Sequence, residues 1–147
     1  MKKFVYKMQS VLNIKEKLEE QEKARYAAAL AKLNEEEEKL SQLYDRRAAC
    51  EERLRESVGA SLNVMAIRHN EDALETLKDF IGRQKLSVKK AQDNVDAAMH
   101  RLREAMAERK THERLKEKAF EEYLAEQNAE EQKEIDELVS YRHGTKE

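Results

Sequence analysis

No proline interrupts the 147 residues of this chain, and only three glycines do, Gly59, Gly82 and Gly144. At average usage a chain this long would carry about 7 prolines and about 10 glycines. Proline removes a backbone donor and clashes with the preceding turn. Glycine loosens the backbone. Scarcity of both predicts long, unbroken helix. Sandwiches, barrels and α/β folds need many tight turns and are excluded. Ala, Glu, Lys, Leu and Arg are heavily used, as in coiled coils. Aromatic residues make up 5%, too few for a large globular core.

Apolar residues recur at steps of three and four, the spacing of a helix seam. In the first part they read Phe4, Met8, Val11, Lys15, Leu18, Glu22, Arg25, Ala29, Leu33, Glu36, Leu40, Leu43, Arg47, Cys50, Leu54, ten of fifteen being apolar. The charged exceptions are long side chains whose stems lie along a seam while their heads reach water. A second seam reads Ile67, Glu71, Leu74, Leu77, Ile81, Gln84, Val88, Ala91, Val95, Ala98, Leu102, Ala105. After Met106 it degrades through Arg109 and His112 and resumes at Leu115, Ala119 and Tyr123.

Between the seams lies Ser57-Val58-Gly59-Ala60-Ser61-Leu62-Asn63. Gly59 can take the left-handed conformation that closes a helix, and Ser61 or Asn63 can cap the next one. The expectation is an all-α chain, a single coiled-coil hairpin over 1–147 with two long antiparallel helices. The helices run 2–57 and 64–142, with one turn at 58–63, and the last residues fray. With the bend near residue 60, Phe4 faces the neighbourhood of Lys118. Residues after about Ala119 have no partner from the first helix. The second helix therefore overhangs at the open end.

Charge and chemistry narrow the function. Lys and Arg total 29 and Asp and Glu total 31, a formal net charge of −2. A duplex-DNA binder carries a clear basic excess, so nucleic acid is not expected as a partner. Lone Cys50 has no partner for an internal disulfide, which fits a reducing cytoplasm. It reads as a small apolar residue on a helix. Lys7 and Gln9 interrupt any apolar run after the basic start, so no leader peptide is expected. No stretch approaches the ~20 apolar residues of a membrane span, so direct membrane insertion is not expected.

No phosphate-binding glycine loop is present. His112-Glu113 opens like a zinc-protease helix, but residue 116 is Lys where the second His is required. His69, His100 and His143 are too far apart for a helical ligand pair. The run Glu35-Glu36-Glu37-Glu38 points in several directions around a helix and reads as a solvated face. The expectation is no enzyme, no metal and no cofactor.

Two segments resemble a known family. Phe4-Val5-Tyr6-Lys7-Met8-Gln9-Ser10-Val11-Leu12-Asn13-Ile14-Lys15-Glu16 resembles the start of FliJ, the stalk protein of the bacterial flagellar type III export apparatus. Glu131-Gln132-Lys133-Glu134-Ile135-Asp136-Glu137-Leu138 resembles the Q-K-x-x-D-E stretch near that family's C-terminus. The resemblance implies a coiled coil similar to the central stalk of rotary ATP synthases. It also implies a role in flagellum biogenesis, motility and chemotaxis. The partners implied are the hexameric export ATPase with its regulator, the export-gate membrane protein and the export chaperones. The free chain would be a monomer, cytoplasmic and peripherally held at the inner face of the membrane at the flagellar base. By the same resemblance Gln132, Lys133, Asp136 and Glu137 form the ATPase-binding end. Leu43, Leu77 and Phe80 form a patch for the export gate, though Leu43 and Leu77 also fit the seam. Two other readings stand beside this one. One is a structural or self-associating spacer. The other is the equivalent stalk of a virulence secretion system or another rotary ATPase.

Overall fold

The computed structural model describes residues 2–60 and 63–145. Two helices account for nearly all of them, α1 (Gln9–Ala60) and α2 (Val64–Thr145), packed against each other as a helical hairpin. They form two compact units, one of 22–102 and one of 1–21 with 103–147.

In the unit of 22–102, a core of Leu33, Ala91 and Val95 is backed by Tyr26, Ala29, Leu30 and Val88. The small alanines let Leu33 and Tyr26 approach α2 closely, in keeping with a densely packed interior. Ile81, Ala98, Leu102 and Cys50 are also buried. The Cys50 thiol lies 3.5 Å from the Asn70 carbonyl, toward which it donates. The covered positions of α1 step through Glu22, Tyr26, Ala29, Leu33, Glu36, Leu40, Leu43, Arg47, Cys50 and Leu54. Arg25 is exposed, and Tyr26 takes the position expected for it. On α2, Glu71 is likewise exposed and Asn70 half-buried. Asn70 faces α1 because its amide donates to the Ser57 hydroxyl at 3.3 Å.

The helix ends differ from the expected ones. Gly59 is helical, and among the described residues no glycine has a positive φ. The left-handed closure expected at Gly59 does not occur, and α1 runs on to Ala60. The Ser57 hydroxyl donates back to the Arg53 carbonyl at 2.8 Å, within the helix. Ser61 and Leu62, part of the expected turn at 58–63, lie outside the described residues. Asn63 does cap α2. Its side-chain oxygen accepts from the Ala66 amide at 3.4 Å, and its carbonyl from Ile67 at 3.1 Å. Past the expected end at 142, α2 continues to Thr145, with Arg142 and His143 in its last turn opposing the negative end of the helix dipole.

In the other unit α1 starts at Gln9 and not at Lys2. Lys2, Lys3 and Lys7 would crowd positive charge at a helix N-terminus, where the dipole disfavours it. Instead residues 2–6 form no regular element, Lys7 and Met8 make a turn, and the segment packs on α2. Phe4 packs edge-on against Phe120, centroids 5.1 Å apart, and tilts against Tyr123 at 5.3 Å. Phe4 thus lies in the neighbourhood of Lys118, as expected, two residues further along α2. The Tyr123 hydroxyl donates to the Lys2 carbonyl. The Tyr6 carbonyl accepts from Gln9 at 3.2 Å and leads the chain into the helix.

Candidate functional site

The open end of the hairpin is built in the unit of 1–21 and 103–147. Its seam uses Leu12, Lys15 and Glu19 on α1 and Arg109, His112, Lys116, Ala119, Tyr123 and Gln127 on α2. Glu19 is only 5% exposed, whereas its neighbour Leu18 is 40% exposed. The Arg109 guanidinium donates to Glu19 through two nitrogens and to Glu113 at 2.8 Å. Glu19, followed by Glu113, holds the Arg109 pKa above its ordinary value. A buried carboxylate needs such a partner, since leaving it bare is costly. Lys15 reaches Glu108 at 2.7 Å and holds that carboxyl below its ordinary range. Leu115, expected on the seam, is exposed, and Lys116 lies there with Arg109 and His112. The stripe that degrades by hydropathy is therefore carried on through Arg109, His112 and Lys116 as a polar stretch of seam.

Beyond Gln127, which is buried, every residue from 128 to 144 is exposed. Gln132, Lys133, Asp136 and Glu137 all stand on this solvated stretch. The Gln132 amide donates to Asp136 at 3.1 Å, one turn along. At 100° per residue, Gln132, Lys133 and Asp136 share one side of the helix, with Glu137 at its edge.

In the unit of 22–102, Leu43 and Leu77 are half-buried seam residues, whereas Phe80 is 47% exposed. Beside Leu43, the Tyr44 ring carries the Arg47 guanidinium at 5.0 Å and the Lys85 ammonium at 5.9 Å. Hydropathy spacing does not single out Tyr44. The signal in the sequence is an aromatic with Arg47 one helical turn on; Lys85 comes from α2. In the same unit Gln84 donates to the Glu36 carbonyl at 2.9 Å and to its carboxylate at 2.5 Å. Among the described residues, no group of three or more His, Cys, Asp or Glu is placed to hold a metal ion. Among them, too, no helix is long and apolar enough to cross a membrane.

The model of the flagellar FliJ protein family matches residues 3–147. The chain belongs to that family. It is thereby a component of flagellar type III protein export, associated with the export apparatus. A solved structure of a YscO homologue from Chlamydia trachomatis has the same fold, with a TM-score of 0.56 and 22% identity over 96% of each chain. No curated protein matches closely enough to count as a relative. In this chain the start is folded on α2 at Phe120 and Tyr123, and the end runs exposed beyond Gln127.

Proposed function

We propose that this chain is a non-enzymatic stalk of the export apparatus. Its open end binds the hexameric export ATPase and its regulator and raises ATP hydrolysis. Leu43, Leu77 and Phe80 mark the region that meets the export gate, and the chain serves export chaperones from the cytoplasmic face of the membrane. The observation that carries this reading is the exposed continuation of α2 past Gln127 in a member of the FliJ family. A lone helix gains nothing from packing within its own chain, so its persistence suits contact with another protein. A mixed-charge surface on that helix suits a ring of similar subunits, which presents recurring but not identical contacts. The YscO likeness supports a second reading, the same role in a virulence secretion system. An adjacent flagellar gene cluster would decide against it.

The test uses the purified cognate ATPase. Lys133→Glu combined with Asp136→Lys should weaken binding about fivefold or more, near 1 kcal/mol. Stimulated hydrolysis should fall with it. The melting temperature should hold, because both residues are exposed. Undiminished stimulation by this variant would remove these residues from the contact.

A further inference from the structure

The seam on α2 outlasts the helix that covers it. From Gln127, steps of four and three lead to Glu131, Glu134, Leu138 and Tyr141, which continue the side of α2 that faces α1 lower down. All four are exposed, Leu138 at 64% and Tyr141 at 71%, and Ile135 at the edge of this face is exposed too. Glu134, Glu137, Leu138 and Tyr141 line a shallow groove. This face lies opposite Gln132, Lys133 and Asp136. It shares only Glu137 with them, so it stands apart from the ATPase-binding reading.

Three observations define what fits there. First, the pattern is that of a coiled-coil seam, two carboxylates at one level and two apolar residues at the next. Second, residues 121–137 hold eight carboxylates and only Lys133 as a cation. Third, the hairpin itself shows how such carboxylates are met, since Glu19 is covered by Arg109 from the facing helix and Lys15 reaches Glu108. A complementary surface is therefore a helix with Arg or Lys at one seam level and Leu-like residues at the next. A second copy would offer the basic stretch Arg83–Lys90. That contact would be head-to-tail, a kind that builds rings or open chains rather than a two-fold dimer.

We propose that the face of α2 from Glu131 to Tyr141 docks a basic amphipathic helix of a partner protein. The partner helix continues the place along α2 that α1 occupies lower down. Apolar contact at Leu138 and Tyr141 supplies affinity, and Glu131 and Glu134 set register and orientation.

The test titrates the isotope-labelled full chain with a synthetic amphipathic peptide of about 21 residues, ~30 Å of helix. The peptide carries Arg and Leu at alternate seam levels. A control peptide of the same composition is scrambled to lose its apolar face. Amide shifts should be confined to residues 127–144. Leu138→Asp and Glu134→Lys should each weaken binding about tenfold, as should the scrambled order, while Lys133→Glu leaves it unchanged. Circular dichroism should show all variants equally helical. Three results would overturn the proposal. One is equal binding of the scrambled peptide, which would mean charge alone. Another is shifts spread along the whole chain. The third is concentration-dependent self-association abolished by Leu138→Asp, which would assign the face to a second copy.

Discussion

Two carboxylates in the helix–helix seam meet a donor from the facing helix. Glu19 has the Arg109 guanidinium, and Glu36 has the Gln84 amide together with Lys32 from one turn earlier on its own helix. The Lys32 hydrogen bond, followed by that from Gln84, holds the Glu36 carboxyl below its ordinary value of 4.5. A carboxylate lowered on folding adds stability above its ordinary pKa and loses it as the pH falls through the lowered one. The hairpin should therefore melt at lower temperature once the pH drops below about 4.5. Glu36→Gln stays neutral throughout and keeps the Gln84 contact within reach. Its melting temperature should fall less on acidification than that of the parent chain. Equal falls in the two proteins would mean that Glu36 contributes nothing to acid sensitivity. Glu108, lowered by Lys15, acts in the same direction and supplies part of the remaining slope.

The two helices are limited by their ends and by their glycines. Gly82 lies inside α2, and a Cβ built on it meets nothing within 4 Å. Gly82→Ala should stabilise the hairpin by roughly 0.5–1 kcal/mol, visible as a higher melting temperature. Gly59 is equally open and helical. Gly59→Ala should also raise the melting temperature, by less because the site is near the helix end. A fall would show that Gly59 takes a left-handed conformation in solution. The existence and type of both helices are legible in the sequence, because nothing in it breaks a helix outside the segment near Gly59. The seam is less legible at single positions. Seam spacing selects Leu18, Arg25, Glu71 and Leu115, whereas the structure covers Glu19, Tyr26, Asn70 and Lys116 one position away. For Glu19, Tyr26 and Asn70 a partner on the other helix, not the residue's own polarity, decides this. The late start of α1 was hidden for the same reason. It depends on Phe4 meeting Phe120 and Tyr123, more than a hundred residues along the chain.

At the scale of the whole chain, length of helix separates what is packed from what is offered. The hairpin plan and the family are legible in the absence of breakers and in the two end segments, and the family model spans residues 3–147. The site is legible as a place, the exposed reach of α2 beyond Gln127, rather than as a constellation of chemical groups. Gln132, Lys133, Asp136 and Glu137 stand there, yet sequence alone gives no reason to separate their face from that of Leu138 and Tyr141. Helical rotation and the seam direction make that separation. Leu43 and Leu77 show the opposite limit, since one pattern describes both a packed seam and a patch. The most direct measurement is stimulation of the cognate export ATPase by the full chain and by a chain ending at Asn128. The shortened chain retains Tyr123, Gln127 and the whole packed hairpin, so its melting temperature should stay close to that of the full chain. Stimulation should be lost with the exposed helix; full stimulation by the folded, shortened chain would contradict the account.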